Sequence, residues 1–236
     1  MIKLIGLGLD DGEITQKGLE AIKSADKVFA EFYTNTETIK LDKLEEKTGS
    51  EIQKLSRKEV EQEDKIIKKA KDSDVAFLVS GDALTATTHY DIKHRAEKQE
   101  IETEVVHAPS IFTSIAETGL NVYKFGRTVT LPKKGKPRSI IEYIEKNDEV
   151  SLHSLILLDI NLEADEAAGK ILDMKPEFAD REAVVLERAN LENQEISVMK
   201  LEKVANSEFG EPPHSLILTG EKSYKEEEFL QSFKFV

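Results

Sequence analysis

The chain has 236 residues, 39% of them hydrophobic and 33% charged, enough to bury a core in one large domain or two small ones. Its net charge of −13 disfavours a nucleic-acid partner, and the absence of cysteine excludes disulfides, thiolate metal sites and cysteine nucleophiles. No apolar run approaches the ~20 residues that cross a bilayer, and the opening MIKLIGLGLDD turns acidic too early for a signal peptide, so a cytoplasmic protein without a membrane partner is expected.

Residues 2–7 alternate and then run apolar, which predicts a first strand. Gly6, Gly8 and Gly12 punctuate the turn behind it, and Thr15 is placed to cap a helix that buries Leu19, Ile22 and Ala25. Residues 28–33 predict a second strand. The polar stretch after them holds only a weak helix at 41–47, with Gly49 beyond it. Residues 60–71 predict a helix with Ile66, Ile67 and Ala70 inward. The run Val75, Ala76, Phe77, Leu78, Val79 carries no charge and reads as a strand buried on both faces, as in a parallel sheet. Ser80, Gly81 and Asp82 stop it, Thr85, Thr87, Thr88 and His89 follow, and a helical pattern runs over 88–98. Residues 103–106 predict another strand, His107, Ala108, Pro109 and Ser110 break it, and an apolar helix with Ile111, Ile115 and Leu120 begins at Ser110. This alternation argues a parallel α/β layer over 1–109.

From 110 to 236 the texture changes. A short strand at 127–131 precedes the basic loop KKGKPR, and a helix at 139–146 precedes a strong buried strand at 152–160. A helix at 163–174 is followed by three strand patterns, at 183–188, 196–204 and 215–219, some of them expected to pair as hairpins. A second α/β domain with a mixed sheet is expected, with the boundary near Pro109. The segment HSLIL occurs twice, beginning at His153 and at His214, which is too short for a repeat and reads as two buried strands opened by the same chemistry.

The central loop places Asp82 and several hydroxyls at the carboxyl end of a buried strand, where ligands bind in open α/β sheets. An ordinary strand-to-helix turn, with Gly81 at the bend and Asp82 or a threonine as a cap, accounts for the same residues. The opening GLGLDDG falls short of a dinucleotide fingerprint: Asp11 stands in the third glycine position, although Glu31 is spaced to serve as the ribose acid. Asp10, Asp11 and Glu13 also put negative charge where phosphates would sit. The five histidines have no metal-ligand spacing, and no GxSxG elbow is present. KKGKPR (133–138) is either a solvated loop or a patch for an acidic partner. In Glu211, Pro212, Pro213, His214 the prolines stiffen a turn and hold His214 at a strand edge.

In order, LIGLGL, SGDALTATTH, PSIFTSI, GRTVTLP, LHSLILLDI and EPPHSLIL resemble the diphthine synthases, within the tetrapyrrole-methylase-like group of methyltransferases. The resemblance runs from Ile2 to Thr219; the family usually carries proline and valine where this chain has Ala83 and Thr85. It implies two α/β domains with S-adenosylmethionine folded in the cleft between them, no metal, and a homodimer. It also implies methylation of the amino group on the modified histidine of translation elongation factor 2, in diphthamide biosynthesis. The contacts to the methyl donor that it implies are Leu9, Asp82, Thr85, Ser110, Ile111, Leu158, Ala189 and His214. Two other readings stay open: a methylase of the same group acting on a tetrapyrrole precursor, and a non-catalytic subunit that binds the elongation factor. No residue stands out as the base that takes the proton of the attacking amine.

Overall fold

The computed structural model describes residues 1–34 and 38–233. The chain divides into two compact units, Met1–Phe112 and Thr113–Val236. In the first, the elements run β1 (Ile2–Gly6), α1 (Gln16–Lys23), β2 (Lys27–Glu31), α2 (Leu41–Thr48), β3 (Ile52–Lys54), α3 (Arg57–Glu61), α4 (Lys65–Lys69), β4 (Val75–Val79), α5 (Tyr90–Glu97) and β5 (Thr103–Val106). The sheet is all parallel, in the order β3-β2-β4-β1-β5.

Two-residue alternation explains why this sheet is covered on both sides. Ile2, Leu4, Phe29, Val75, Phe77 and Val79 pack with Ile66, Ile67 and Ile92 on one face. Ile5, Leu7, Val28, Ala30, Ala76 and Leu78 pack with Ala21, Ile22 and Leu44 on the other. All of β4 is at 0% exposure, as its uncharged run predicts. Registers Gly6↔Val79 and Glu31↔Val79 align the carboxyl ends of β1, β2 and β4.

After β5, α6 (Ile111–Ser114) tightens into a 3-10 turn, Ile115–Thr118, which Gly119 ends at φ +77. The second unit runs β6 (Val129–Leu131), α7 (Ser139–Asp148), β7 (Ser154–Leu158), α8 (Ala164–Met174), β8 (Glu182–Glu187), β9 (Glu195–Lys200), α9 (Leu201–Val204), β10 (His214–Leu218) and α10 (Tyr224–Leu230). Its sheet has the order β6-β7-β10-β8-β9, with β6 and β7 parallel and the other pairs antiparallel. The adjacent β8 and β9 form the expected hairpin. The KKGKPR loop is stitched to its surroundings: Lys133 Nζ donates to the Asn161 carbonyl, Lys136 pairs with Asp173, and Lys170 reaches the Pro132 carbonyl.

Four elements depart from the sequence reading. The helix expected over 60–71 is two short helices, because Asp64 takes a left-handed φ of +52 between them. The three-residue β3 carries too little apolar pattern to announce itself. The strand expected to continue to 204 ends at Lys200, after which Leu201 and Val204, both fully buried, follow a helical spacing in α9. Finally, α10 closes the unit with a capping box in which Ser223 and Glu226 satisfy each other's backbone.

The HSLIL pair has a common structural meaning. His153 Nδ1 accepts from the Gly220 amide at 2.9 Å, and its Nε2 lies 3.1 Å from Glu226. His214 Nδ1 accepts from the Ala164 amide at 3.2 Å, and its Nε2 lies 3.7 Å from Glu187. Both rings are fully buried, and each ties the start of a central strand to a loop or helix end. Glu226 also accepts from Lys124 at 2.7 Å, the Asn121 amide at 2.9 Å and the Ser223 amide at 2.7 Å. Burial opposes its ionisation, but those donors together hold its carboxyl well below the usual range.

Burial also lowers the pKa of His153, His214 and His89, the last to about 4. All these shifts have one consequence. A histidine kept neutral in the fold contributes its full stability above the unfolded pKa of ~6.5 and loses it as pH falls toward the folded value; a depressed carboxylate does the same from ~4.3 downward. The melting temperature is therefore expected to fall steadily as pH drops from about 7 to about 4. Glu226→Gln is expected to lower it by roughly 5–10 °C at neutral pH, from ~2–3 kcal/mol of lost charge-assisted bonding. A Tm flat across that pH range contradicts the assignment.

Candidate functional site

The carboxyl edge of the parallel sheet is closed by backbone before any side chain is considered. Gly8 and Gly81, at φ +80 and +72, form an isolated antiparallel bridge with N–H···O distances of 2.7 and 3.1 Å. Glycine is favoured here, since both residues sit in the left-handed region, and at Gly8 a Cβ would also lie 2.3 Å from the Glu13 Cβ. Gly6 is required for a different reason: a Cβ there would lie 2.7 Å from the Gly81 carbonyl and 2.9 Å from the Ala108 Cβ.

Asp82 follows Gly81 and is 5% exposed. Its Oδ1 accepts from the Leu84 amide at 3.0 Å and from Thr85 Oγ1 at 2.9 Å. Its Oδ2 accepts from His107 Nδ1 at 2.7 Å and from the Ala108 amide at 3.3 Å. Burial works against ionisation, but the Leu84 amide, His107, Thr85 and the Ala108 amide outweigh it and hold the carboxyl below its ordinary value. A carboxylate offers about four lone-pair sites, so these donors saturate it. One anion therefore ties the turn after β4 to the segment after β5.

The first unit brings its predicted residues together at this corner. A Cβ on Gly81 would stand 3.6 Å from Leu9 Cδ2 and 3.9 Å from the Ser110 Cβ, which places Leu9, Asp82 and Ser110 around one point. Thr85 is bonded to Asp82, and Ile111 follows the buried Ser110. In the second unit, Leu158 ends β7, His214 opens β10, and Ala189 follows the end of β8 by two residues. The registers Ser215↔Leu157 and His214↔Glu187 bring these three to one end of the mixed sheet. Beside them Glu187 pairs with Arg188 at 3.0 Å, both nearly fully buried, and Arg188 Nη1 reaches the Glu211 carbonyl of the Pro212–Pro213 turn.

The glycine turn after β1 is already occupied by the chain's own acid. The Leu9 amide donates to Glu13 Oε2 at 2.6 Å, and α1 starts later, at Gln16, with Thr15 as its N-cap. Glu31 is at 0% exposure and accepts from the Tyr33 and Thr34 amides and the Thr34 hydroxyl, so it caps a turn. Burial raises its pKa, and the Thr34 and Tyr33 bonds offset this only in part. The dinucleotide reading therefore finds neither a free turn nor a free ribose acid.

Comparison with known proteins finds relatives over nearly the whole chain. Residues 1–205 match the family described as Tetrapyrrole (Corrin/Porphyrin) Methylases. A diphthine synthase of Methanocaldococcus jannaschii is 38% identical, with 98% of each chain covered. The chain belongs to the diphthine synthases of the tetrapyrrole methylase family. The human diphthine methyl ester synthase is 36% identical over 93% of this chain and 90% of its own. A crystal structure of diphthine synthase superposes with a TM-score of 0.93 at 30% identity, covering 99% of this chain and 95% of the other. This diphthine synthase family member is thus a methyltransferase of diphthamide biosynthesis that uses S-adenosylmethionine as its methyl donor.

Sequence reading missed His107, placing it only in the break after β5. The available signal was positional: HAPS follows a strand of the parallel sheet directly, at the same edge as Asp82. Thr85 also gains a meaning that sequence did not supply, because the valine usual in the family has no hydroxyl to give Asp82. Thr85→Val keeps the volume and deletes one donor to a buried charge. It is expected to cost about 1–2 kcal/mol by denaturant titration and to move acid unfolding to higher pH, since the Asp82 carboxyl then protonates more readily. An unchanged unfolding midpoint refutes the bond.

Proposed function

We propose that this protein transfers methyl groups from S-adenosylmethionine to the amino group of the modified histidine on translation elongation factor 2, forming diphthine. The observation that carries this reading is the Gly8–Gly81 bridge with the saturated Asp82 beside it, in a chain matched end to end by diphthine synthases. The proposed donor contacts are Leu9, Asp82, Thr85, Ser110 and Ile111 in the first unit and Leu158, Ala189 and His214 in the second. No metal takes part. We further propose that the protein acts in the cytoplasm as a homodimer.

Methyl transfer is an in-line displacement in which the amine lone pair attacks the methyl carbon as the bond to sulfur breaks. Such a step gains most from holding the reactants in line, and fixed backbone does that better than mobile side chains. Asp82 fits as a residue that fixes the corner, since its oxygens are already engaged within the chain. His214 fits as a backbone contact, since its ring is used at the start of α8. Short polar side chains and loop amides around Ser110 suit the ribose and adenine edges.

Mass spectrometry of the elongation factor after incubation with the protein and S-adenosylmethionine tests the assignment. Mass gains in units of one methyl group, localised to the modified histidine, are expected. A factor of unchanged mass, or methyl groups found instead on a tetrapyrrole precursor, refutes it. Asp82→Ala, which removes the anchor between two loops, is expected to weaken donor binding at least about tenfold by calorimetry; a change smaller than about threefold contradicts the anchoring role.

A further inference from the structure

The corner holds a histidine whose geometry exceeds what anchoring needs. His107 Nδ1 lies 2.7 Å from Asp82 Oδ2, while the imidazole itself is 72% exposed. Asp82 is ionised and accepts only, so the hydrogen on that contact belongs to Nδ1. A neutral imidazole protonated at Nδ1 has a bare lone pair at Nε2. A buried carboxylate and an oriented, largely exposed ring together make an acid–base pair of the kind that activates nucleophiles.

The three buried histidines are used elsewhere. His153 and His214 use Nδ1 to accept backbone amides and have fully buried rings. His89 is 1% exposed, stacked edge-on against Phe77 and next to Tyr33. His94, the fifth, sits in the last turn of α5. His107 alone among the five combines the Asp82 carboxylate with an exposed ring, and it stands three residues before Ser110 in the segment proposed to touch the donor.

We propose that His107 is the general base of the methyl transfer, accepting at Nε2 the proton that the substrate ammonium must shed, with Asp82 holding the ring. The inference rests on the amino-methylating reading given above. In each cycle the ammonium N–H bond breaks toward Nε2 and the freed lone pair forms the new N–C bond. The C–S pair returns to sulfur, leaving S-adenosylhomocysteine. The imidazolium is neutralised by releasing its proton to water, which the exposed ring permits. Each methyl group added to the amine is matched by one proton shed, so the base is needed once per methyl transfer.

His107→Ala and His107→Gln in the full chain test this, with kcat, KM and donor affinity measured on the elongation factor. The expected result is a fall in kcat of about a hundredfold, well beyond any change in KM or donor affinity that follows from removing one of the four donors to Asp82. Free imidazole is expected to restore activity to His107→Ala, and a series of substituted imidazoles should rescue it in order of basicity. A role that is only structural would not respond to added base. A kcat within about threefold of the parent in both variants, or a fallen kcat that imidazoles leave unchanged, overturns the proposal. A parent protein that binds donor but leaves the factor's mass unchanged would instead sink the underlying assignment, which separates the two failures.

Discussion

The Asp82 carboxylate joins stretches of chain that no helix or strand connects. A buried carboxylate costs several kcal/mol to dehydrate, and only a full set of donors compensates it. Here the donors come from Leu84, Thr85, His107 and Ala108, so the charge stays stable only while both loops hold their places. The Gly8–Gly81 bridge adds the third segment, and the absence of a side chain at Gly6 lets Ala108 approach. Each part is tolerable because the others are present. The resulting edge is fixed by hydrogen bonding together with the buried Leu7 and Ala83 beside it.

The same device recurs at other strand ends. Glu226 gathers Lys124, His153 and the Asn121 and Ser223 amides at the start of β7. Glu187 gathers Arg188 and the Gly210 amide at the end of β8, with His214 beside it. Glu31 collects the turn after β2. In each case a nearly fully buried acid receives backbone amides from an adjoining loop. In an acidic protein of net charge −13 this places part of the negative charge inside, where it fixes loops rather than adding to surface repulsion.

How much of this could be read from residues alone depended on whether the signal was local. The β4 run announced itself because a strand covered on both faces needs no polar residue, and Thr15 announced α1 because a cap lies next to what it caps. Two capping boxes, Ser56 with Glu59 and Ser223 with Glu226, were equally local and were passed over, which cost the start of α3 and all of α10. The break at Asp64 had no local signal, since a left-handed non-glycine residue is set by its surroundings. The site divides the same way. Asp82 and His214 stood out through their neighbours in sequence, whereas the pairing of Asp82 with His107 spans 25 positions and exists only because β4 and β5 flank β1 in one sheet. The matching HSLIL segments were readable as two similar strand openings, but not as two histidines accepting backbone amides.

The first unit's carboxyl edge carries a concentration of acidic side chains. The turn after β1 carries Asp10, Asp11 and Glu13; Asp82 stands at the corner and Glu31 at the end of β2. Asp11 is balanced by Lys43 at 2.7 Å, but Glu13 already occupies the Leu9 amide that an anionic ligand would seek. A pyrophosphate brought here would meet carboxylates where dinucleotide folds offer a bare helix N-terminus. A sulfonium carries the opposite sign and needs no such donor. If the methyl donor binds at this edge, as proposed above, its sulfonium meets charge of the opposite sign where a pyrophosphate would be repelled.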